Sequence, residues 1–355
     1  MSKLIINQNQ FSDLLNIKYK VFYPLKTFVN KEQFLKILKK YKYGDKFFPF
    51  PIFFGLTKKN YLKIKNCSQL DLIYQNQKIA TVNKLNFYSL DKKYFGKKIF
   101  GKKFKKHPYY NKFKKENYKF INFKILKFFK KKINKNLFVT PAYISKKIKN
   151  LKIAAFHTRN VPHLAHQWIH KFLIKKFDGL LIQPMIGQYK TGEYKDEIIM
   201  KLNRLTKNLY RNKNVFVFPF YSYPRYGGPR EAALHALVRR NYGCKYFWVG
   251  RDHAGVENFY GVYDSQRFCK KFENKLNIKI IAQKEPYFCK KLLKIVNNCK
   301  CRKNCKTKIS GTLIRKLLNK KKKIPSNFMT KVISNRLNKK SLIQNSNKKF
   351  PQSFF

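Results

Sequence analysis

The chain has 355 residues, 44% of them hydrophobic, enough to bury more than one core, which excludes a disordered class. Its 81 Lys+Arg against 16 Asp+Glu give a formal net charge of +65, the usual footprint of a nucleic-acid or anionic-surface binder. Yet only 12 of those cations are Arg, none precedes Arg159, and the Lys are scattered from end to end without a face or block. With abundant Asn, Ile, Phe and Tyr, this reads as a bias toward A+T-rich codons, and no specific nucleic-acid surface is expected. Non-specific attraction of polyanions and a salt-sensitive fold still follow from the charge.

Residues Met1 to Leu15 interrupt their apolar stretch with Asn, Gln and Asp, unlike a signal peptide, and are not the Arg- and Ser-rich helix of a transit peptide. No uncharged apolar run approaches bilayer length; the longest, around Val215 to Tyr223, is strand-sized, so a soluble protein with no membrane partner is expected. Residues 1 to 138 read as a β-rich, chemically quiet region of short strands, for example Phe47 to Phe54 and Leu70 to Tyr74. The Lys/Phe-rich passage from Lys112 to Lys135 reads as a solvated helix or loop, although basic-aromatic interleaving also suits single-stranded nucleic acid.

From Leu151 onward strands alternate with helical patterns, the signature of a doubly wound α/β domain. Strands are predicted at Ile153 to Phe156, Leu180 to Ile182, Val215 to Phe218 and Tyr246 to Val249. Helices are predicted at Leu164 to Phe177, with an apolar face of Leu164, Trp168, Phe172 and Leu173, and at Glu231 to Arg240. Ten of the 14 Gly lie beyond residue 178, which assigns function to this half, because glycine persists where backbone must bend or approach a ligand.

Four of the seven His fall between His157 and His170, after a strand and at a helix start, where backbone N–H groups and the helix dipole favour a phosphate. His163 and His166 are three apart on the first turn, so both rings can face one phosphate, while Arg159 and Asn160 add a planar fork and an amide. His-x-x-His alone equally suits core or metal-binding histidines; the Thr158-Arg159-Asn160 run beside it favours the phosphate. A second stretch, Gly250-Arg251-Asp252-His253-Ala254-Gly255, also follows a strand, so both loops should open onto one crevice at the carboxyl ends of the sheet. Upstream, Arg225 to Glu231 reads equally as a turn with a helix cap or as a ligand contact. A third stretch, Ile309 to Arg315, reads as a helix start capped by Ser310 or Thr312 with Arg315 one turn in, a phosphate-contacting feature of nucleotidylyltransferases that carry His-x-x-His. Seven Cys, four crowded between Cys289 and Cys305, suggest a reducing compartment and a metal knot in place of a disulfide framework, hence a cytoplasmic protein.

Taken together, Phe156 to His166, Gly228 to Ala232 with His235-Ala236-Leu237 and Asn241-Tyr242-Gly243, Val249 to Gly255 and Ile309 to Arg315 resemble the ATP sulfurylase (sulfate adenylyltransferase) family. The resemblance extends to Val21 to Leu25 with Phe28 and to His107-Pro108, and it is to the forms without a fused kinase-like extension. It implies an α/β fold: a PUA-like β-rich domain over 1–138, a Rossmann-like nucleotidylyltransferase domain over 139–285, a small C-terminal α/β domain over 286–340 and a polar tail over 341–355. It implies that ATP and sulfate give adenylyl sulfate and pyrophosphate reversibly, by direct in-line attack on the α-phosphorus, with Mg²⁺ accompanying the phosphates. By motif position, His157, Arg159, Arg251 and the Ala254 N–H would hold sulfate. His157, Thr158, Arg159 and Asn160 with Gly250, Arg251, Asp252 and His253 would hold ATP; Thr158, Arg159, Asn160, His163 and His166 would be catalytic. A homo-oligomer is implied.

Three residues depart from the family pattern: His157 stands for Gln, Val161 for Pro and Leu164 for Arg, which adds a titratable donor, loosens the loop and removes a charge near the phosphates. Reduced activity is expected from them. Some members bind zinc through Cys-x2-Cys-x8-Cys-x3-His; here Cys289, Cys301 and Cys305 take the first, third and fourth places and Leu292 the second. Cys299 could supply the missing thiolate to a Cys₄ zinc site; the alternative is remnant thiols without metal. Competing functional readings are a basic nucleic-acid-binding protein, which would cluster Arg and aromatics on one element, and another His-x-x-His adenylyltransferase, which has no reason to carry Gly250 to Gly255. A degenerate, inactive relative is the remaining alternative.

Overall fold

The computed structural model describes residues 2–129, 134–187, 190–210, 213–256, 259–301 and 303–344. The N-terminal part is built on a five-stranded sheet in the order Ser2–Ile5, Gln69–Tyr74, Gln77–Tyr88, Lys119–Phe128, Phe54–Leu56, antiparallel except for its first pair. It also carries helices that the short-strand reading left out, among them Gln8–Lys18 and Lys31–Lys40. Their signals are in the sequence: Asn7 with Gln10, and Asn30 with Gln33, form reciprocal capping boxes that satisfy the first free N–H groups of each helix.

The Lys112 to Lys135 passage bears out a solvated helix only in its first part, where Lys112, Lys114 and Lys115 are exposed on a helix, and corrects the expectation beyond it. Pro108–Glu116 is a helix, and Lys119–Phe128 is an inner strand of the sheet whose Phe120, Ile121 and Phe123 are buried. Interspersed Lys hid the apolar pattern; residues 130–133 of the passage lie outside the described residues.

The second sheet is the one that positions the site. Its parallel strands run in the order Asn214–Val217, Gly179–Ile186, Ile153–Thr158, Tyr246–Val249, Lys279–Ala282, with Phe220–Tyr221 pairing farther along Gly179–Ile186. Numbered as met in the chain, that order is 3-2-1-4-5, and its direction reverses between Ile153–Thr158 and Tyr246–Val249, where doubly wound folds open a crevice. All eight residues of Gly179–Ile186 are buried, as a strand covered by helices on both faces requires. Helices Asp196–Lys207 and Asp264–Lys271 and the strand Lys279–Ala282 are additions to the predicted set.

Helix Leu164–Lys176 buries Ala165, Ile169, His170 and Leu173; Trp168 and Phe172, expected on the inner face, are half-buried at its edge. Helix Pro229–Asn241 bridges the two sheets' domains, because Arg230 donates to the Leu38 carbonyl at 2.9 Å and Asn241 to the Val21 and Tyr23 carbonyls at 2.9 Å. The segments Val21 to Leu25 and Asn241 to Gly243 therefore meet in space. One continuous apolar core runs through both domains.

A third, three-stranded antiparallel sheet of Lys294–Val296, Tyr287–Cys289 and Lys306–Thr307 leads into helix Gly311–Asn319. Beyond it, Ser341, Leu342 and Ile343 are buried, not part of a polar tail: Ile343 N–H donates to the Glu193 carbonyl at 2.8 Å and Lys195 N–H to that of Ser341 at 3.1 Å. Residues 345–355 of the expected tail lie outside the described residues.

Candidate active site

The crevice at the strand-order reversal is lined by three segments far apart in the chain, Phe156 to His166, Gly250 to Gly255 and Ile309 to Arg315. Every residue predicted to bind ATP or sulfate, or to act on them, lines it: His157, Thr158, Arg159, Asn160, His163, His166, Gly250, Arg251, Asp252, His253 and Ala254. His157 and Thr158 end the strand itself, two residues beyond the predicted boundary, so their geometry is set by pairing with Gln183 and Pro184.

The first loop is held by its own polar groups. Thr158 Oγ1 accepts from the Asn160 N–H at 3.0 Å, and Asn203 donates to the Asn160 carbonyl at 3.3 Å. His163 is the N-cap of the helix it opens, and its Nδ1 accepts the His166 backbone N–H at 3.3 Å. An accepting Nδ1 places the ring proton on Nε2, so the cap leaves a neutral donor. The His163 and His166 rings stack with centroids 3.7 Å apart, as the three-residue spacing predicts. Burial pushes His163 down to about 3 and holds His166 well below the ordinary histidine range.

In the second loop Asp252 and Ala254 adopt positive φ, 49° and 59°, an alternation that curls the backbone into a concavity of N–H groups suited to an anion. Such angles cost a non-glycine residue energy and are held here by outside bonds: Asp252 N–H to the Val262 carbonyl at 2.9 Å, and Gly228 N–H to the Ala254 carbonyl at 3.1 Å. A Cβ at Gly255 would lie 1.8 Å from Asp252 Oδ1, so any side chain there would require the Asp252 carboxylate to move. Burial raises the Asp252 carboxyl, with Arg251, Arg159 and Lys308 opposing.

Of the carboxylates lining the crevice, Glu231 and Glu285 hold other groups, whereas Asp252 Oδ1 is buried with no hydrogen-bond partner among the described residues. Glu231 accepts the backbone N–H groups of Arg225 at 2.8 Å and Gly227 at 2.9 Å, which resolves the Arg225 to Glu231 stretch as a cap and turn whose Tyr226 and Glu231 also line the crevice. Arg225 itself points away from ligand chemistry and pairs with buried Asp13. Glu285 Oε2 lies 2.7 Å from Arg251 Nε, which leaves the outer guanidinium nitrogens available. Glu193 Oε2 lies 3.4 Å from Arg315 Nη1. Arg159 has no acidic partner among the described residues and lies with its guanidinium carbon 5.7 Å from the centroid of the Tyr226 ring, so its fork is free for an anion.

Glu285, Glu193, Asn203, Trp248 and Arg239 were not found by sequence reasoning. Glu285 follows the unread strand Lys279–Ala282, whereas Arg239 sits one helical turn beyond His235 and on its face, a spacing that could have flagged it.

The four cysteines come together away from this crevice, in a small apolar cluster with Tyr287, and all are free thiols. Sulfur separations are 3.5 Å for Cys299–Cys305, 3.8 Å for Cys289–Cys301 and 3.9 Å for Cys289–Cys299, close to the roughly 3.8 Å edge of a tetrahedron with Zn–S of about 2.3 Å. The donor set fits a metal, with Cys299 at the place the sequence could only suggest. Leu292, at the second position of the spacing, contributes its backbone N–H 3.5 Å from Cys289 Sγ. The Tyr287 hydroxyl, 3.1 Å away, lowers the Cys299 thiol to about 6, poising one thiolate.

The ATP-sulfurylase family model matches residues 135–340, and a PUA-like domain model matches residues 1–122. Sulfate adenylyltransferases are similar over most of both chains: that of Pyrococcus abyssi is 32% identical over 92% of this chain and 87% of its own. That of Hyperthermus butylicus is 30% identical over 90% and 84%. A hexameric APS kinase from Thiobacillus denitrificans shares the fold, with a TM-score of 0.71 at 14% identity; the match covers 94% of this chain and 62% of that one, so the chain spans less than two thirds of that protein. No helix among the described residues is long and apolar enough to cross a membrane. The chain belongs to the ATP-sulfurylase family and is a nucleotidyltransferase of the sulfate adenylyltransferase type.

Proposed function

We propose that the crevice binds MgATP beside sulfate and joins them reversibly into adenylyl sulfate and pyrophosphate. A sulfate oxygen attacks the α-phosphorus in line; the new S–O–P bond forms as the bond from that phosphorus to the bridging oxygen of the β-phosphate breaks, and pyrophosphate carries away the electron pair. No side chain is acylated or phosphorylated, so the protein acts by placing two anions that repel each other and by neutralising their charge.

In this reading Arg159, Arg251, His157 and the Ala254 N–H hold sulfate, and His157 to Asn160 with Gly250 to His253 hold ATP. His163 and His166 stabilise charge on the phosphates; the accepting Nδ1 of His163 supports this by leaving its Nε2–H free to donate. Mg²⁺ bound with ATP would supply charge neutralisation to the pyrophosphate; Glu231 and Glu285 are engaged by protein groups, which leaves the phosphate oxygens and the Asp252 carboxylate as the groups that would hold it.

The observation that carries the proposal is the convergence of three distant segments on one crevice at the switch point. Its test is pyrophosphate release by purified protein, which should require MgATP together with sulfate or molybdate; a flat trace from folded protein overturns it. Arg159→Lys should lose turnover without unfolding, because a point charge cannot replace the planar fork.

We further propose that Cys289, Cys299, Cys301 and Cys305 hold a structural zinc ion, supported by their sulfur spacing and by the thin apolar cluster around them. Cys301→Ser should lower bound zinc relative to the unaltered protein, and equal content counts against the site. Free thiols suit the cytoplasm, and a homo-oligomer is the expected assembly, to be measured by light scattering.

A further inference from the structure

Three imidazoles, His157, His235 and His253, place one ring nitrogen each within 4.8 Å of one another, a spacing that invites a metal. Arg239 argues against it. This arginine is wholly buried, and its Nη2 lies 2.6 Å from His157 Nδ1. A guanidinium can only donate, so His157 Nδ1 must accept, and the proton of the neutral ring then sits on Nε2. A nitrogen that carries a proton is no metal ligand, and a dication would sit against an adjacent guanidinium. His235 Nδ1 and His253 Nε2, 3.1 Å apart, satisfy each other by sharing one proton.

A buried guanidinium is expensive, and this one has no carboxylate partner among the described residues. Its other contacts are the His235 carbonyl at 3.3 Å and the faces of Phe220 and Phe247, whose centroids lie 4.8 and 5.6 Å from its central carbon. The His157 bond is the shortest of its hydrogen bonds, and it reaches a ring that lines the crevice. His157 Nε2 has no protein partner among the described residues and is absent from the buried unpaired atoms, so it opens on the crevice.

We infer that Arg239 is a positioning residue that fixes His157 as its Nε2–H tautomer, so that a neutral imidazole donates to a sulfate oxygen. The inference rests on the sulfate-binding role proposed for His157. It explains how a titratable ring can serve as a constant donor: Arg239 defines which nitrogen carries the proton, and its charge, added to burial, opposes a second proton.

The test is ¹⁵N–¹H spectroscopy of histidine-labelled full-length protein with its cysteine cluster loaded with zinc, the His157 signals being assigned by their loss in His157→Gln. At pH 7.5 His157 should show an unprotonated, hydrogen-bonded Nδ1 and a protonated Nε2; a proton on Nδ1, or an imidazolium, overturns the inference. A further equivalent of zinc that shifts the His157, His235 and His253 signals together also overturns it, in favour of a metal site. Among variants, Arg239→Met should raise the KM for sulfate about tenfold and leave that for ATP unchanged, with Arg239→Lys recovering part of the loss. Equal rises in both KM values overturn the inference, and if Arg239→Met does not fold, the spectrum of the unaltered protein decides. Sulfate-dependent pyrophosphate release by the unaltered protein tests the underlying reading separately.

Discussion

Arg315 donates through Nη1 to Asn160 Oδ1 at 2.5 Å, and the same nitrogen lies 3.4 Å from Glu193 Oε2. One guanidinium thus ties the first crevice loop to the start of the last long helix and to the turn after strand Gly179–Ile186. That turn is itself strapped by residues 341–343. Arg315→Ala should therefore reduce kcat by about 10²-fold, the scale of a misplaced reacting group, with little change in the unfolding midpoint. Steady-state kinetics beside thermal melts test this; unchanged kcat removes Arg315 from the positioning of Asn160.

Gly311 makes a second, steric claim about the same contact. A Cβ added there would lie 2.4 Å from Asn160 Oδ1, and Asn160 is restrained by Arg315 and by the Asn203 bond to its carbonyl. Gly311→Ala should push the helix start off the loop at about 1–3 kcal/mol of overpacking, and turnover should fall while the fold persists. Full activity in that variant means the loop and helix can separate without consequence.

Much of this site was legible in the sequence because its chemistry is local. His163 and His166 stack because three residues separate them on a helix start, and of the two expected caps, Ser310 and Thr312, it is Ser310 that caps its helix. What was hidden depends on tertiary contact. Nothing near Glu285 names Arg251 as its partner, and the spacing that puts Arg239 on the His235 face of its helix does not by itself name His157 as the group its guanidinium reaches. In the N-terminal part, interspersed lysines concealed an inner strand at Lys119–Phe128, because Lys119, Lys124 and Lys127 interrupt the apolar pattern although Phe120 and Ile121, on opposite faces, are both buried.

Asp13 and Arg225 make the buried ion pair between the N-terminal helix and the loop that carries Tyr226 into the crevice. Burial raises the Asp13 carboxyl, opposed by Arg225 and by the Tyr223 hydroxyl, which donates to it at 2.8 Å. Removing one partner leaves an unpaired buried charge, so Asp13→Asn should cost about 3–5 kcal/mol in urea unfolding. Asp13→Asn with Arg225→Met should recover part of that loss. A single-variant cost below about 1 kcal/mol rules out the pair as an interdomain tie.

Acid should destabilise the protein through histidines kept neutral by burial. His163 and His170 are each pushed down to about 3, whereas an unfolded histidine titrates near 6.5. Between those values the unfolded chain binds more protons than the folded one, so stability is complete above about pH 6.5 and falls as pH drops toward 3. At about 1.4 kcal/mol per pH unit, lowering the pH from 6.5 to 5 costs about 2 kcal/mol for each such ring. Buried carboxyls with raised values, Asp13 and Glu231, act in the opposite sense, so the comparison must isolate one histidine. His170 is fully buried, and its Nδ1 lies 2.9 Å from the Tyr210 hydroxyl, an interaction that His170→Gln can retain without a proton to gain. Urea midpoints at pH 7.5, 6 and 5 should fall less steeply in His170→Gln than in the unaltered protein; parallel slopes mean that His170 is charged in the folded state or is not protonated on unfolding.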